Sequence, residues 1–160
     1  STSQAYRILR TLCTSYRTGG PSNLRTLAVE VARGLRKRAI VNLITDANHE
    51  VEDYVYFAHL MWAREHATNL FLVVDESEMK LPNVGWLTLM ESEELQRMTI
   101  DTDEFKKEYD METRRLMTSM ISGCKTFGSR VLSLKSVKDV DAKILEIANV
   151  YRQARQGAYR

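Results

Sequence analysis

Histidine and cysteine, which often act as catalytic groups or metal ligands, are few in this sequence. His49, His59 and His66 are the only histidines, and the latter two lie seven residues apart, about 10.5 Å along a helix. Two such rings cannot share a metal ion, because a helical metal pair needs a spacing of four. Cys13 and Cys124 are the only cysteines, and they form no zinc pattern. We expect partly exposed histidines, cysteines packed on helical apolar stripes, and no metal or cofactor.

The strongest enzymatic pattern follows an apolar run at residues 70–74. Asp75, Glu76, Glu78 and Lys80 come within six residues of one another. Carboxylates that hold Mg²⁺ beside a lysine are typical of metal-dependent nucleases. In those enzymes the acids usually come from adjacent strands, whereas here they share one short stretch. A solvated acidic loop is therefore favoured, and a metal-dependent nuclease is a distant alternative.

Charge is segregated along the chain, although the net charge is only +2. Residues 1–44 have a net charge of +7, residues 45–112 of −12 and residues 113–160 of +7. Segregation on this scale predicts association with a partner. Arginine dominates the first basic segment, and its planar group suits phosphate and carboxylate alike. The candidate residues for binding nucleic acid or a protein partner are the eight bases of that segment: Arg7, Arg10, Arg17, Arg25, Arg33, Arg36, Lys37 and Arg38.

Apolar residues at helical spacing predict five or six helices. Their stripes lie at residues 5–16, 24–43, 51–62, 105–123 and 140–151, and residues 92–94 start a further short helix. The second helix is expected to run for about 24 residues unless Gly34 breaks it. Because only a short connection follows it, the second and third helices should pack as an antiparallel hairpin. The core predicted from these stripes comprises Leu27, Val31, Leu35, Val55, Trp62, Leu116, Met120 and Ile144.

Three short apolar runs fit strands as well as buried helical segments. They lie at residues 70–74, 84–89 and 131–134, and the first two have the spacing of a hairpin. The fold class predicted from all segments is mainly α. We expect a single-domain helical bundle of five to six helices, which allows a small β-hairpin near residues 70–90. No linker or repeat divides the chain, so one globular domain should span residues 1–160.

Composition and patterning narrow the location and the function. The longest uncharged apolar run, residues 69–74, is too short to span a membrane, and charges near the N-terminus argue against a signal peptide. We expect an intracellular protein of the cytoplasm, the nucleus or a virion interior. The leading hypothesis is a non-enzymatic interaction or assembly module. It would self-associate or dock a larger protein partner through charge-segregated helical surfaces. The alternative is an RNA- or DNA-binding protein that uses the arginine-rich faces of its first two helices.

Overall fold

A computed structural model of the chain shows three helices and five strands among the residues that it describes. Those residues are 6–7, 10–11, 23–36, 38–75, 79–90, 97–135, 140, 142–143, 145–146 and 148–149. The helices are α1 (Leu24–Gly34), α2 (Val51–Ala63) and α3 (Thr102–Thr126). The strands are β1 (Ile40–Thr45), β2 (Ala67–Val73), β3 (Trp86–Met90), β4 (Arg97–Asp101) and β5 (Arg130–Leu134).

Three of the strands form a parallel sheet in the order β1-β2-β5. Leu70 of β2 lies opposite Leu43 of β1 and Val131 of β5. Parallel neighbours need a long crossover connection, and α2 provides it between β1 and β2. The hairpin of β3 and β4, followed by α3, connects β2 to β5.

The core lies between this sheet and a layer of helices. α1 packs on α2, α2 packs on α3, and the last two also contact β2 and β5 respectively. Leu70 and Leu72 of the central strand join one buried cluster with Tyr54, Met61 and Met120. Burying such side chains contributes about 1.5–3 kcal/mol each, so β2 provides the apolar centre of the domain.

The opposite face of the sheet, here called the second face, is covered unevenly. Leu132 of β5 and Asn69 of β2 are buried on it, whereas Ile40 and Ile44 of β1 are 52% and 69% exposed. The buried amide Nδ2 of Asn69 donates a hydrogen bond of 2.7 Å to Oδ1 of Asn42. The β1 side of this face is therefore open within the described part of the chain.

The β3–β4 hairpin is attached at its base to the start of α3. Thr102, which is fully buried, donates through Oγ1 to the carbonyl of Gly85 at 2.8 Å. The amide of Val84 donates back to the same Oγ1 at 3.2 Å. Gly85 has φ of +73°, a conformation that glycine adopts without steric cost. One threonine thus fixes where the ribbon leaves the domain.

The predicted helical bundle is wrong, and residues 40–45 show why. They form a strand, and α1 ends at Gly34, so the predicted long helix does not exist. Ile40, Val41 and Ile44 are β-branched, and such side chains favour strands over helices. Because β1 lies between α1 and α2 in the chain, these helices are not a hairpin, although they pack together.

Most of the other predicted helices and strands are present, but one predicted strand pairing is wrong. Residues 70–73 of the first run lie in β2, residues 86–89 of the second in β3 and residues 131–134 in β5, but the first two strands do not pair with each other. A continuous apolar run is typical of a parallel strand buried on both faces. The helices at 51–62 and 105–123 are confirmed as α2 and α3. The short helix at 92–94 lies outside the described residues, and the described positions of the first and last predicted helices are helical.

The predicted core is only partly correct. Met120 is buried, but Trp62 is 58% exposed, and Leu27 and Leu116 are exposed as well. The buried stripe of α2 runs through Tyr54, Phe57, Ala58 and Met61. Trp62 follows Met61 by one residue, about 100° around the helix, which turns it towards solvent. Val31, Leu35 and Val55 are half-buried, and the side chain of Ile144 lies outside the described residues.

A glycine allows the close approach of α3 to α2, and it gives the first testable prediction. A Cβ at Gly123 would lie 2.5 Å from Cγ2 of Val55, whose side chain is stiff. Gly123→Ala should therefore destabilise the protein by about 1–3 kcal/mol, despite the helix propensity of alanine. Chemical denaturation measures the change.

Gly34 provides the matched control, because a Cβ there would meet nothing within 4 Å. Gly34→Ala should be neutral or stabilise by up to about 1 kcal/mol. Val55→Ala should partly rescue Gly123→Ala. Equal effects at the two glycines would contradict the helix contact.

Candidate protein-interaction surface

Large apolar side chains are exposed on both faces of the β3–β4 hairpin. Trp86 is 73% exposed and Met98 is 60% exposed, and their positions in the register place them on opposite faces of the ribbon. Val84 at its base and Phe105 in the second turn of α3 are also exposed. We call these four residues, Val84, Trp86, Met98 and Phe105, the hairpin surface. Contiguous exposed apolar patches mark interaction sites, whereas single exposed apolar side chains are common, so the hairpin surface is a candidate site.

The base of the hairpin surface is held by the loop that precedes it. Leu81 in that loop is buried, and its amide donates to Oδ1 of Asp110 at 3.1 Å. The ammonium of Lys106 donates to the carbonyl of Leu81. These contacts with α3 hold the loop, so the ribbon extends from an ordered base.

Two of the predicted binding arginines are paired within the chain. Nε of Arg25 lies 2.5 Å from Oδ1 of Asp53, and its guanidinium lies over the ring of Tyr56. Nε of Arg38 donates to Oε2 of Glu65 at 2.9 Å, which lowers the pKa of Glu65 and raises the pKa of Arg38. The basic segment therefore meets acids of the middle segment inside one molecule.

The remaining predicted arginines have different surroundings. Arg33 and Arg36 are exposed, and no ion-pair partner for them exists among the described residues. Arg7 and Arg10 are exposed too, whereas Arg17 and Lys37 lie outside the described residues. Arg25 and Arg33 are eight residues apart on α1, about 12 Å along its axis. A single binding site formed by all eight bases remains a prediction.

The three histidines are dispersed. His59 is exposed and packs against Phe127, with ring centroids 4.8 Å apart. His49 is half-buried and meets Tyr54 edge-on. His66 is buried, which corrects the prediction of partial exposure. Its Nδ1 accepts the amide hydrogen of Ala39 at 3.2 Å, because the starts of β1 and β2 are adjacent.

The acidic stretch after β2 is only partly described. Asp75 and Lys80 are described, whereas Glu76 and Glu78 are not. Within the described ranges, no group of three or more His, Cys, Asp or Glu side chains could hold a metal ion. Those ranges therefore offer no support for the nuclease alternative.

An open depression lies at the carboxyl ends of β1 and β2, where parallel α/β sheets commonly bind ligands. Its volume is about 650 Å³, and its apolar lining includes Leu27, Ile44 and Val73. Asp46 and His49 contribute polar atoms at its border. This composition suits an apolar side chain of a partner better than a charged substrate.

Burial makes Cys124 a poor nucleophile. The residue is 1% exposed, and loss of hydration raises the pKa of its thiol to about 11. The thiolate is the reactive form of cysteine. The prediction that this cysteine packs in the core is confirmed, and Cys13 lies outside the described residues.

The hairpin surface was not found from the sequence. From the sequence alone, residues 84–89 fit a strand as well as a buried helical segment, and no residue of that run is predicted to bind a partner. The signal in the sequence is Thr88, a polar residue in the middle of the apolar run, since such residues are typical of a ribbon that faces water. In the structure Thr88 pairs with Thr99.

The described residues thus form an α/β unit, with a small parallel sheet under helices and a hairpin that extends from it. A family model described as "Protein of unknown function DUF58" matches residues 1–119. The chain belongs to this family. The match includes both sheet strands that precede the hairpin and ends within α3. No curated protein and no solved structure matches the chain.

Among the described helices, none is both long enough and apolar enough to cross a membrane. The two longest, α2 and α3, have 13 and 25 residues. Charged residues are frequent along α3, so its length alone does not make it a membrane span.

Labelling of Cys124 tests its burial. In a Cys13→Ser background, a thiol-specific disulfide reagent at pH 8 should react slowly with the folded protein and rapidly in guanidinium. The reason is that both access and the thiolate form are suppressed in the folded state. Rapid reaction of the folded protein would contradict this account.

Proposed function

We propose that this chain is a non-enzymatic interaction module that binds a protein partner. The observation that carries the proposal is the exposure of Trp86 and Met98 on the β3–β4 hairpin. Tryptophan is enriched among residues that dominate binding energy at interfaces. A two-stranded ribbon is marginally stable on its own, so a partner that covers its apolar side chains would stabilise it.

The described polar groups support binding better than catalysis. The buried thiol of Cys124 is protonated at neutral pH, and the three histidines lie in separate environments. Catalytic groups act when their side chains converge on one reacting atom. The described residues instead combine exposed apolar side chains with dispersed charges.

Charge complementarity has a supporting role in the proposal. Arg33 and Arg36 are exposed, whereas Arg25 and Arg38 are engaged by acids of the same chain. A partner with an acidic surface would associate faster with the exposed arginines, mainly through its on-rate. Apolar contacts at the hairpin would then supply most of the affinity.

Binding of RNA or DNA is the second candidate. Its support is the exposed pair Arg33 and Arg36, for which the described residues provide no carboxylate partner. Arginine contacts phosphate through a planar pair of donors. Among the described residues, no aromatic side chain that could stack on bases contacts these two arginines.

Substitution of the hairpin tests the leading proposal. A partner is first recovered from the source cells on the immobilised chain, identified by mass spectrometry and purified. Trp86→Ser should then weaken its binding by about 2 kcal/mol or more in calorimetry, if Trp86 is an anchor. Folding should be unchanged, because the side chain is exposed.

Trp62→Ser is the matched control, because this tryptophan is also mostly exposed but lies on α2. It should leave binding unaltered. If Trp86→Ser together with Met98→Ser binds the purified partner as tightly as the parent chain, the hairpin proposal is wrong.

Salt dependence tests the nucleic-acid candidate. If Arg33 and Arg36 each neutralise one phosphate of duplex DNA, the logarithm of the binding constant should fall with a slope of about −1.8 against log salt. Arg33→Glu with Arg36→Glu should abolish that slope. Fluorescence anisotropy of a labelled duplex measures it, and absence of binding at low salt excludes this candidate.

A further inference from the structure

The outer edge of β1 has backbone groups that no described strand pairs with, and it lies apart from the hairpin surface in the chain. Among the described strands, β1 lies at one end of the parallel sheet. The carbonyl of Ala39 accepts from the amide of Ala67, so odd-numbered residues of β1 turn their backbone groups towards β2. The N–H and C=O groups of Ile40, Asn42 and Ile44 therefore point away from β2, where no described strand pairs with them.

This edge lacks the features that usually prevent strand pairing. Proteins protect edge strands with charges, prolines, bulges or short length. β1 has six residues, none of them charged or proline, and its register with β2 is continuous from Ile40 to Thr45. Ile40 and Ile44, whose backbone groups point away from β2, have apolar side chains that are exposed on the second face. Such an edge is a template for one more strand.

The helix layer leaves room for that strand. Packed helices lie about 8–10 Å apart, whereas neighbouring strands lie about 4.8 Å apart. α2 contacts β2, and α1 packs on α2 while lining a depression with Leu43 and Ile44 of β1. At these typical spacings, α1 would lie about two strand spacings from β2, over the position next to β1. Leu27 of α1 is exposed on that side.

We propose that the β1 edge binds an extended segment of a partner protein, which adds a fourth strand to the sheet under α1. The segment would be uncharged in its centre and rich in β-branched residues. One of its faces would cover Leu27, and the other would lie beside Ile40 and Ile44. Strand addition of this kind combines main-chain hydrogen bonds with pockets for alternate side chains.

Charges at the two ends of β1 define the partner further. Arg36 is exposed before the strand and Asp46 is exposed after it. A matching segment would carry an acidic residue at the end near Arg36 and a basic residue at the end near Asp46. The six residues of β1 set the length of the paired part of this segment at six residues.

A second copy of this chain is a poor occupant of the same edge. Two β1 strands paired antiparallel around a two-fold axis would place both domains' helices on one side of the joined sheet. Each α1 would then lie over the other copy's β1, with the two helices closer than the 8–10 Å that packed helices need. A partner strand without a helix at that position avoids this clash.

Phage-displayed random octapeptides are the probe for this edge. Selection on the immobilised chain should return proline-free peptides with β-branched residues at alternate positions. Bound as synthetic peptides, they should slow hydrogen exchange at the amides of Ile40, Asn42 and Ile44. They should leave Val41 and Leu43 unchanged, because these amides already bond to β2.

Ile44→Pro should weaken peptide binding about tenfold or more, since proline removes an outward donor and its ring blocks approach. Its fold is checked by circular dichroism, and Ile44→Lys serves if the proline variant does not fold. Met111→Lys, at an exposed apolar site on α3, is the control and should bind normally. Because the hairpin variants and the β1 variants differ, failure here is distinguishable from failure of the proposed function.

Three results would overturn the proposal. The first is that selection returns no binding peptide. The second is peptides whose binding survives both Ile44 variants. The third is a dimer of the chain that Ile44→Pro dissociates, since the occupant would then be a second copy.

Discussion

The pairing of β2 with a parallel neighbour on each side is the interaction on which the rest of this fold depends. A central strand whose residues 68–70 and 72 are buried satisfies its backbone through the two adjacent strands. Every connection must therefore return the chain to the same end of the sheet, which places α2 after β1 and α3 before β5. The helices then cover Leu70 and Leu72, and the core, the position of α1 and the attachment of the hairpin all follow from that arrangement.

The ion pairs between the basic and acidic segments affect which charges are accessible to a partner more than they affect stability. Arg25 with Asp53 and Arg38 with Glu65 join the basic beginning of the chain to the acidic middle. Exposed pairs of this kind contribute little to the free energy of unfolding. Their effect is to remove two arginines from the charge available to a partner, while Arg33 and Arg36 stay accessible. Charge counted along the sequence therefore overestimates the charge that the surface presents.

The sequence predicted individual segments better than their partners in space. Helical spacing located α2 and most of α3, and apolar runs located β2, β3 and β5. The prediction of a helix at residues 40–43 is wrong. Ala39 and Leu43 continue the apolar stripe of α1, whereas the β-branched side chains of Ile40, Val41 and Ile44 favour a strand. The predicted pairing of residues 70–74 with residues 84–89 is wrong, because β2 pairs with β1 and β5 while β3 pairs with β4. The spacing of apolar runs does not encode these tertiary partners. Exposure of Trp62 and Trp86 depends on neighbouring elements, which periodicity alone does not describe.

The amide pair of Asn42 and Asn69 has a consequence for how the sheet assembles. A shift of β1 along β2 by two residues would keep every side chain on its own face, and apolar residues on both strands would tolerate it. The shift would separate the amide of Asn69 from the oxygen of Asn42 and leave a buried donor without that acceptor, at a cost of about 1–3 kcal/mol. One polar contact between two apolar strands thus favours a single register over others that would bury similar apolar side chains.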